Sequence, residues 1–198
     1  HTTASLPAPA PVTASALFTR QMRSHRPARR APTADTASMV ITGGLGAIGR
    51  EVAQWALVHE RMHVHLLGRS GRTSAPLPTG AGCVTATRSD ASHTEEGTAV
   101  GHALRTRMQP TVGGVMHASG VLRDCMLAKQ HAGSMREVVG GKVGGLPQVR
   151  RIQGVGSVVV FSSITALMGS AGQSSYAGAN ASLDASAHAH HTAGSMHS

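Results

Sequence analysis

The feature that most limits how this chain can fold is a glycine-rich turn between a short apolar run and a helix-length segment. Met39-Val40-Ile41 is followed by the segment 42–49, in which Gly44, Gly46 and Gly49 are spaced G-x-G-x-x-G. Glycines at this spacing allow a tight turn and a close approach of the backbone to a pyrophosphate held at a helix N-terminus. The turn therefore predicts a phosphate-binding loop at the first strand–helix junction.

After this turn, short apolar runs alternate with segments of helical length. The predicted strands are 39–41, 63–67, 83–86, 112–117 and 157–161, and the predicted helices are 47–59, 93–108, 134–151 and 174–191. Strands that alternate with helices indicate an α/β fold, a Rossmann-like, doubly wound parallel sheet. The valine-rich run 157–161 predicts a fully buried strand. Four glycines and Pro147 weaken the helix predicted over 134–151.

The first 38 residues differ in composition from the rest of the chain. They contain five arginines and a single acid, Asp35, and show neither helix nor strand periodicity. We interpret residues 1–38 as a low-complexity, disordered linker and residues 39–198 as the folded domain. The acid-poor composition is also typical of organelle transit peptides, but the first residue is His1 rather than Met, which favours the linker.

Composition excludes several other classes of protein. Only 2% of the residues are aromatic, which argues against nucleic-acid stacking, although the net charge of +9 also suits phosphates or an acidic protein partner. Cys83 and Cys125 lack a CxxC spacing, and the histidines near the C-terminus have no acidic or cysteine ligands beside them, so we expect no metal.

No apolar run approaches the roughly 20 residues that span a bilayer. We expect a reducing, cytoplasmic setting, or a plastid if the start is a transit peptide.

The position that follows the second strand distinguishes between the two nicotinamide dinucleotides. An NAD site has an acid about 20 residues after the glycine motif to hold the ribose 2′-hydroxyl. Here that position is Arg69, and the sequence around it holds no acid. A guanidinium can grip a 2′-phosphate, which a carboxylate would repel, so Arg69 favours NADPH over its alternative as a solvated loop arginine.

The last third of the chain carries the most specific pattern. Ser162 and Ser163 follow the predicted buried strand, and Tyr176, the only tyrosine, comes thirteen residues after Ser163. This sequence resembles the ketoreductase (β-ketoacyl reductase) domains of modular polyketide and fatty acid synthases, within the short-chain dehydrogenase/reductase superfamily. The resemblance covers roughly residues 38–195 in four motifs, His117-Ala118-Ser119-Gly120-Val121-Leu122-Arg123-Asp124, Lys142-Val143-Gly144-Gly145, Gly169–Asn180 with its Tyr-x-x-x-Asn, and Leu183-Asp184-Ala185.

The resemblance implies a role for each matched residue. Tyr176 would protonate the ketone oxygen as hydride arrives from the nicotinamide, and Ser163, preferred by spacing over Ser162, would hydrogen-bond that carbonyl. Lys142 would stabilise the tyrosinate, in keeping with the general rule that a neighbouring ammonium favours a phenolate. Asn180 would stand where most free-standing relatives have lysine. The cofactor is expected on Thr42, Gly43, Gly44, Leu45, Gly46, Ile48, Gly49, Arg69, Asp90, Ala118 and Gly120.

The resemblance also implies a substrate and a setting. We expect reduction of a β-ketoacyl chain on an acyl carrier protein, within a polypeptide that holds other synthase domains. Asp124, with Met168 at a position where other members have tryptophan, predicts the D-configured alcohol. Family members continue beyond the helix of Tyr176, so we expect this chain to be C-terminally truncated and unstable alone. A free-standing dehydrogenase of small carbonyls and a non-catalytic scaffold domain stay open as alternatives.

Overall fold

A computed structural model describes residues 38–194, apart from residues 61, 74, 91, 94–95, 97–111 and 152–156. Its strands are β1 (Ser38–Thr42), β2 (His63–Gly68), β3 (Val84–Arg88), β4 (Val112–His117) and β5 (Ser157–Val160). Its helices are α1 (Ala47–His59), α2 (Ala132–Val139), α3 (Leu146–Arg151), α4 (Thr165–Met168) and α5 (Ser174–Gly194). A 3-10 turn (Leu127–Lys129) precedes α2, and a π-helical turn (Gly140–Gly144) follows it.

The strands form one parallel sheet in the order β3-β2-β1-β4-β5. The strand order reverses at β1, so the crevice between the ends of β1 and β4 is the topological switch point, where sheets of this class bind ligands. In the register of the sheet, Thr42 is aligned with Leu67 on one side and with His117 on the other. The α/β, doubly wound parallel sheet predicted from the sequence is confirmed.

Alternating side chains of β1 pack into two cores on opposite faces of the sheet. Met39 and Ile41 pack with α1, which contributes Ala53, Ala56 and Leu57. Val40 faces the other way, in a cluster that includes Val149 of α3. Because both faces of β1 are buried, its five residues can be apolar or small throughout, and they hold the glycine-rich turn at the centre of the sheet.

Two predicted elements differ from the structure, and two others fall almost entirely on residues that it does not describe. The helix expected over 134–151 is divided by the π-helical turn, which lies where the glycines are concentrated. The strand expected to be fully buried, β5, leaves Val158 and Val159 more than 40% exposed, because β5 is an edge strand of the sheet within the described residues. The linker at 1–38 and the helix at 93–108 lie almost entirely outside the described residues, although Ser38 already belongs to β1. In the part of the chain that the structure describes, no helix is long and apolar enough to cross a bilayer.

Candidate active site

The glycine-rich turn is shaped by contacts that leave no room for side chains. Gly43 has φ +67°, and a Cβ atom there would lie 2.7 Å from the backbone of Ala118 and Ser119. A Cβ atom on Gly49 would lie 2.5 Å from Gly44 Cα and 2.6 Å from the Gly43 carbonyl oxygen. Gly46 precedes α1 with no side chain capping the helix. The first N–H groups of α1 are therefore left for an anion.

A cavity of about 650 Å³ opens beside this turn, a size within the usual range for cofactor sites. The predicted cofactor residues that line it are Gly43, Leu45, Gly46, Arg69, Asp90, Ala118 and Gly120. The others lie elsewhere: Gly44 and Gly49 pack against each other behind the turn, Ile48 is 58% exposed on α1, and the Thr42 side chain is buried. The predicted residues divide in this way because the turn exposes only one side of its backbone to the cavity.

One wall of the cavity carries charges of both signs. Arg69 and Arg72 follow β2, and Asp90 follows β3. Burial tends to raise the pKa of Asp90, but hydrogen bonds from Ser92 and the positive charges of His93 and Arg69 outweigh it, so this pKa lies below its usual value. The sequence around Arg69 contains no acid, yet the fold brings one into its electrostatic range. Arg72, which the sequence analysis did not select, lines the same cavity.

The loop that carries both arginines is fastened to α1. The Arg50 guanidinium donates hydrogen bonds to the Thr73 hydroxyl, at 2.8 Å, and to the carbonyls of Ala75 and Pro76. One turn later on the helix, the side-chain amide of Gln54 bonds both the carbonyl and the N–H of Thr79. Since the segment between β2 and β3 contains no helix or strand in its described residues, these contacts define its position.

The candidate catalytic residues converge next to this cavity. Lys142 Nζ lies 5.3 Å from the centroid of the Tyr176 ring and donates a 2.7 Å hydrogen bond to the Phe161 carbonyl. Tyr176 is half-buried near the start of α5, and Lys142 is 4% exposed. Gly120, in the cavity wall, would place a Cβ atom 3.1 Å from Lys142 Cε. The lysine side chain therefore packs between the cavity wall and the tyrosine.

Burial changes the proton affinity of this lysine. Desolvation lowers the pKa of Lys142 below its ordinary value, and the negative charge of Asp184 on α5 opposes that effect. Asp184 belongs to a motif that the resemblance matched, but its charge near Lys142 could not be inferred from the motif alone. An ammonium over an aromatic face attracts the ring electrons and stabilises negative charge that develops there.

Asn180 and the two serines connect α5 to the end of β5. Asn180 is fully buried and its Nδ2 donates to the Tyr176 carbonyl at 2.8 Å, which holds the first turns of α5 together. Ser162 donates its hydroxyl proton to the Asn180 carbonyl at 3.4 Å. Ser163 Oγ instead accepts hydrogen bonds from the N–H and hydroxyl of Thr165, at 3.3 Å and 3.0 Å. Ser162 is thus engaged with the backbone, whereas Ser163 keeps its hydroxyl proton for another acceptor.

Asp124 lies on the segment between β4 and the 3-10 turn, which packs against the residues just before α5. Its Oδ2 accepts a 2.9 Å hydrogen bond from Gln173 Nε2, and the N–H of its neighbour Cys125 donates to the Gly172 carbonyl at 2.9 Å. Gln173 is three residues before Tyr176. The predicted stereocontrol residue is therefore bound to the segment that leads into the helix of Tyr176.

Sequence reasoning assigned no role to His117, the first residue of a matched motif, whose side chain connects two distant segments next to the site. It is fully buried, with Nδ1 2.6 Å from Thr42 Oγ1 and Nε2 2.7 Å from the Lys142 carbonyl oxygen. In the sequence this histidine is the last residue of a strand, and only its burial and its two partners distinguish it from other core residues. The feature of the sequence that could have pointed to His117 is its position at the end of a predicted strand. In the sheet, this end lies next to the phosphate loop, residues 42–49.

The fold and the site together define a class of protein. A parallel sheet with a glycine-rich turn after β1, a cavity beside that turn, and a lysine over a tyrosine ring next to the cavity is the arrangement of the short-chain dehydrogenase/reductase oxidoreductases.

Comparison with known proteins identifies the family within that class. The sequence model of the KR domain matches residues 37–197, so the chain belongs to the KR domain family, whose members are oxidoreductases that bind nicotinamide cofactors. The lovastatin diketide synthase mokB of Monascus pilosus is 35% identical over 154 residues, which are 75% of this chain and 6% of the synthase. Among solved structures, a ketoreductase domain from the bacillaene assembly line has a TM-score of 0.74 at 25% identity, over 82% of this chain and 41% of that one.

A second solved structure agrees with this assignment. The ketoreductase of the first module of phoslactomycin biosynthesis in Streptomyces sp. HK803 has a TM-score of 0.71 at 30% identity, over 85% of this chain and 41% of that chain. The chain thus spans under half the length of these ketoreductases and a small part of the synthase.

Proposed function

We propose that this domain reduces the ketone of a β-ketoacyl thioester, carried by an acyl carrier protein, to a β-hydroxyacyl thioester with NADPH. The observation that carries the proposal is the placement of Lys142 over the Tyr176 ring, beside a glycine-walled cavity. The synthases among its relatives supply the setting, with the carrier protein and other domains on the same polypeptide as partners.

The cavity fits a phosphorylated dinucleotide. Gly43 and Gly49 form a cradle that a Cβ atom would fill, and the uncapped start of α1 offers N–H groups to the pyrophosphate. Arg69 and Arg72 supply two guanidinium groups to one wall, so a 2′-phosphate can be held even though Asp90 balances part of their charge. When bound, NADPH supplies the hydride.

The proton is the contribution of the chain's own residues. The Tyr176 hydroxyl donates it to the ketone oxygen, while the Ser163 hydroxyl donates a hydrogen bond to the same oxygen and orients it. Negative charge left on the phenolate is stabilised by the Lys142 ammonium above the ring. Asn180 acts on the backbone of α5, where its hydrogen bond to the Tyr176 carbonyl fixes the start of the catalytic helix.

Replacing the tyrosine tests the catalytic assignment. Tyr176→Phe removes the proton donor and leaves the cavity intact, so we expect kcat for a β-ketoacyl thioester to fall about 10²–10⁴-fold while the NADPH Kd changes less than about threefold. Ser182→Ala, on the same helix, removes a hydroxyl that donates to the Gly178 carbonyl and should keep wild-type kcat. Both are measured in the natural polypeptide. A Phe variant within a few-fold of the wild-type rate would refute the role of Tyr176.

Cofactor choice is tested at the arginine wall. Arg69→Glu replaces a favourable charge with one that repels a 2′-phosphate, so the preference for NADPH over NADH should shrink or reverse in a fluorescence titration of both cofactors. Arg72→Glu should act in the same direction because its side chain lines the same cavity. Equal affinities of the wild-type protein for the two cofactors would contradict NADPH specificity.

The stereochemical proposal uses the segment before the catalytic helix. Asp124 accepts a hydrogen bond from Gln173, three residues before Tyr176, and we propose that it directs formation of the D-configured alcohol. Chiral chromatography of the product tests this, and the opposite hydroxyl configuration would overturn it.

A further inference from the structure

Lys142 occupies an unusual piece of backbone, whose conformation must be maintained by something outside the helix. It lies in the π-helical turn Gly140–Gly144. Single π turns are rare in proteins as a whole, but those that occur are often found at functional sites. Three of the five residues of that turn are glycines, which have the largest conformational freedom to lose. The lysine side chain can keep its place over Tyr176 only if this turn is held.

His117 makes a direct side-chain contact with the backbone of this turn. Its Nε2 lies 2.7 Å from the Lys142 carbonyl oxygen, an atom that can only accept, so Nε2 carries the proton and donates it. Nδ1 is then an acceptor, and the Thr42 hydroxyl, 2.6 Å away, donates to it. One imidazole therefore joins the end of β1, the end of β4 and the backbone of the lysine.

The backbone of His117 also reaches the other end of the lysine. The His117 carbonyl accepts from the Phe161 N–H at 3.0 Å, and the Phe161 carbonyl accepts from Lys142 Nζ at 2.7 Å. The lysine is thus fixed at its backbone by the side chain of His117 and at its ammonium by a residue bonded to the backbone of His117. Burial, the largest influence, lowers the pKa of His117, as does the Lys142 charge, while its hydrogen bond to the Lys142 carbonyl raises it, in keeping with a neutral ring.

We propose that His117 is a positioning residue, which holds the Lys142 ammonium over the Tyr176 ring by fixing the π-helical turn against the start of the phosphate loop. The inference rests on the proposed function, since the place of the ammonium matters to the reaction only if Tyr176 transfers the proton. It concerns where Lys142 lies, which can be measured without the reaction.

The structure suggests a matched set of variants at this position. His117→Gln keeps a side-chain N–H at about the distance of Nε2 and can still donate to the Lys142 carbonyl. His117→Asn can reach the Thr42 hydroxyl but is too short to reach the lysine. Thr42→Val has nearly the same shape as threonine but lacks the hydroxyl that donates to His117 Nδ1. Lys142→Met removes the ammonium and sets the scale of the signal.

Tyr176 supplies the readout because its ring lies beneath the Lys142 ammonium. With 3-fluorotyrosine incorporated at this one codon of the natural polypeptide, a single fluorine resonance reports the charge over the ring. We expect Lys142→Met to displace this resonance, His117→Asn to displace it in the same direction by at least half as much, Thr42→Val to give a smaller displacement, and His117→Gln to restore the wild-type position. Thermal melting of each variant identifies those that remain folded.

Kinetics in the natural polypeptide form the second arm. His117→Asn should lower kcat about tenfold with the NADPH Kd changed less than threefold, and His117→Gln should recover most of that loss. A wild-type fluorine resonance in both folded His117→Asn and folded Thr42→Val would overturn the proposal, and so would an equal displacement in His117→Gln and His117→Asn. If no variant, wild type included, reduces a ketone, the proposed function fails while the fluorine comparison still decides the placement of Lys142.

Discussion

A single methyl group added at Gly49 tests how the phosphate loop is built. In Gly49→Ala the new Cβ atom would lie 2.5 Å from Gly44 Cα and 2.6 Å from the Gly43 carbonyl oxygen. Real Cβ atoms essentially never approach other heavy atoms closer than 3.0 Å. Both contacts are with backbone, which cannot rotate away as a side chain can, so the turn must separate from the first turn of α1.

The size of the expected effect follows from the usual cost of overpacking a site by one methyl group. Overpacking by one or a few methylene groups typically costs 1–3 kcal/mol, and a change of 1.4 kcal/mol is tenfold in an equilibrium constant. If the loop absorbs the clash by opening, the N–H groups proposed to hold the pyrophosphate leave their positions and the NADPH Kd should rise by roughly 5- to 150-fold. If the whole domain absorbs it, the free energy of unfolding should fall by about the same 1–3 kcal/mol.

The assay is a fluorescence titration with NADPH alongside a thermal melt, with Gly178→Ala as the matched control. Gly178 lies within the length of α5, away from its ends, and is exposed to solvent. A Cβ atom there would meet nothing within 4 Å. Replacing a helical glycine by alanine in open space should stabilise the protein by about 0.5–1 kcal/mol and leave the Kd unchanged. A Gly49→Ala variant with wild-type affinity and wild-type melting temperature would refute the packing argument.

Two further predictions come from hydrogen bonds and buried rings. Arg50→Ala removes the contacts that fasten the loop of Arg69 and Arg72, so the NADPH Kd measured by titration should rise roughly tenfold, and unchanged affinity would show that the loop holds itself. Burial lowers the pKa values of His65 and His117 in the folded state, so the unfolded chain binds more protons and stability should fall as the pH drops below about 6.5. Urea denaturation at pH 7.5 and 5.5 measures this, and equal midpoints would contradict it.

The sequence predicted the elements that are governed by local patterns. The glycine spacing of 44, 46 and 49 located the β1–α1 junction, and apolar runs located the strands, because turn chemistry and burial act over a few residues. Tyr176, Lys142 and Asn180 were chosen by family resemblance, and the structure brings them together. The kinetic measurements described above test whether each of these residues acts as predicted.

What escaped the sequence depends on contacts between distant segments. The exposure of β5 follows from its place at the edge of the described sheet, which its valines alone do not reveal. The charge of Asp90 reaches Arg69 because β3 lies beside β2, although the two residues are 21 positions apart in the sequence. His117 has two partners 75 and 25 residues away in the sequence. Pairings of this kind are set by tertiary geometry, which no local pattern encodes.

The place of β1 in the sheet bears on how this domain is made by the ribosome. β1 is synthesised before the other described strands, yet it pairs with both β2 and β4, and Thr42 and His117 are 75 residues apart. Gly43 takes its shape against Ala118, so the phosphate loop cannot close until that residue has emerged from the exit tunnel. Long-range parallel pairing forms slowly and leaves apolar strands open to wrong partners in the meantime. The nascent chain therefore holds an unfinished β1 until β4 has emerged from the exit tunnel.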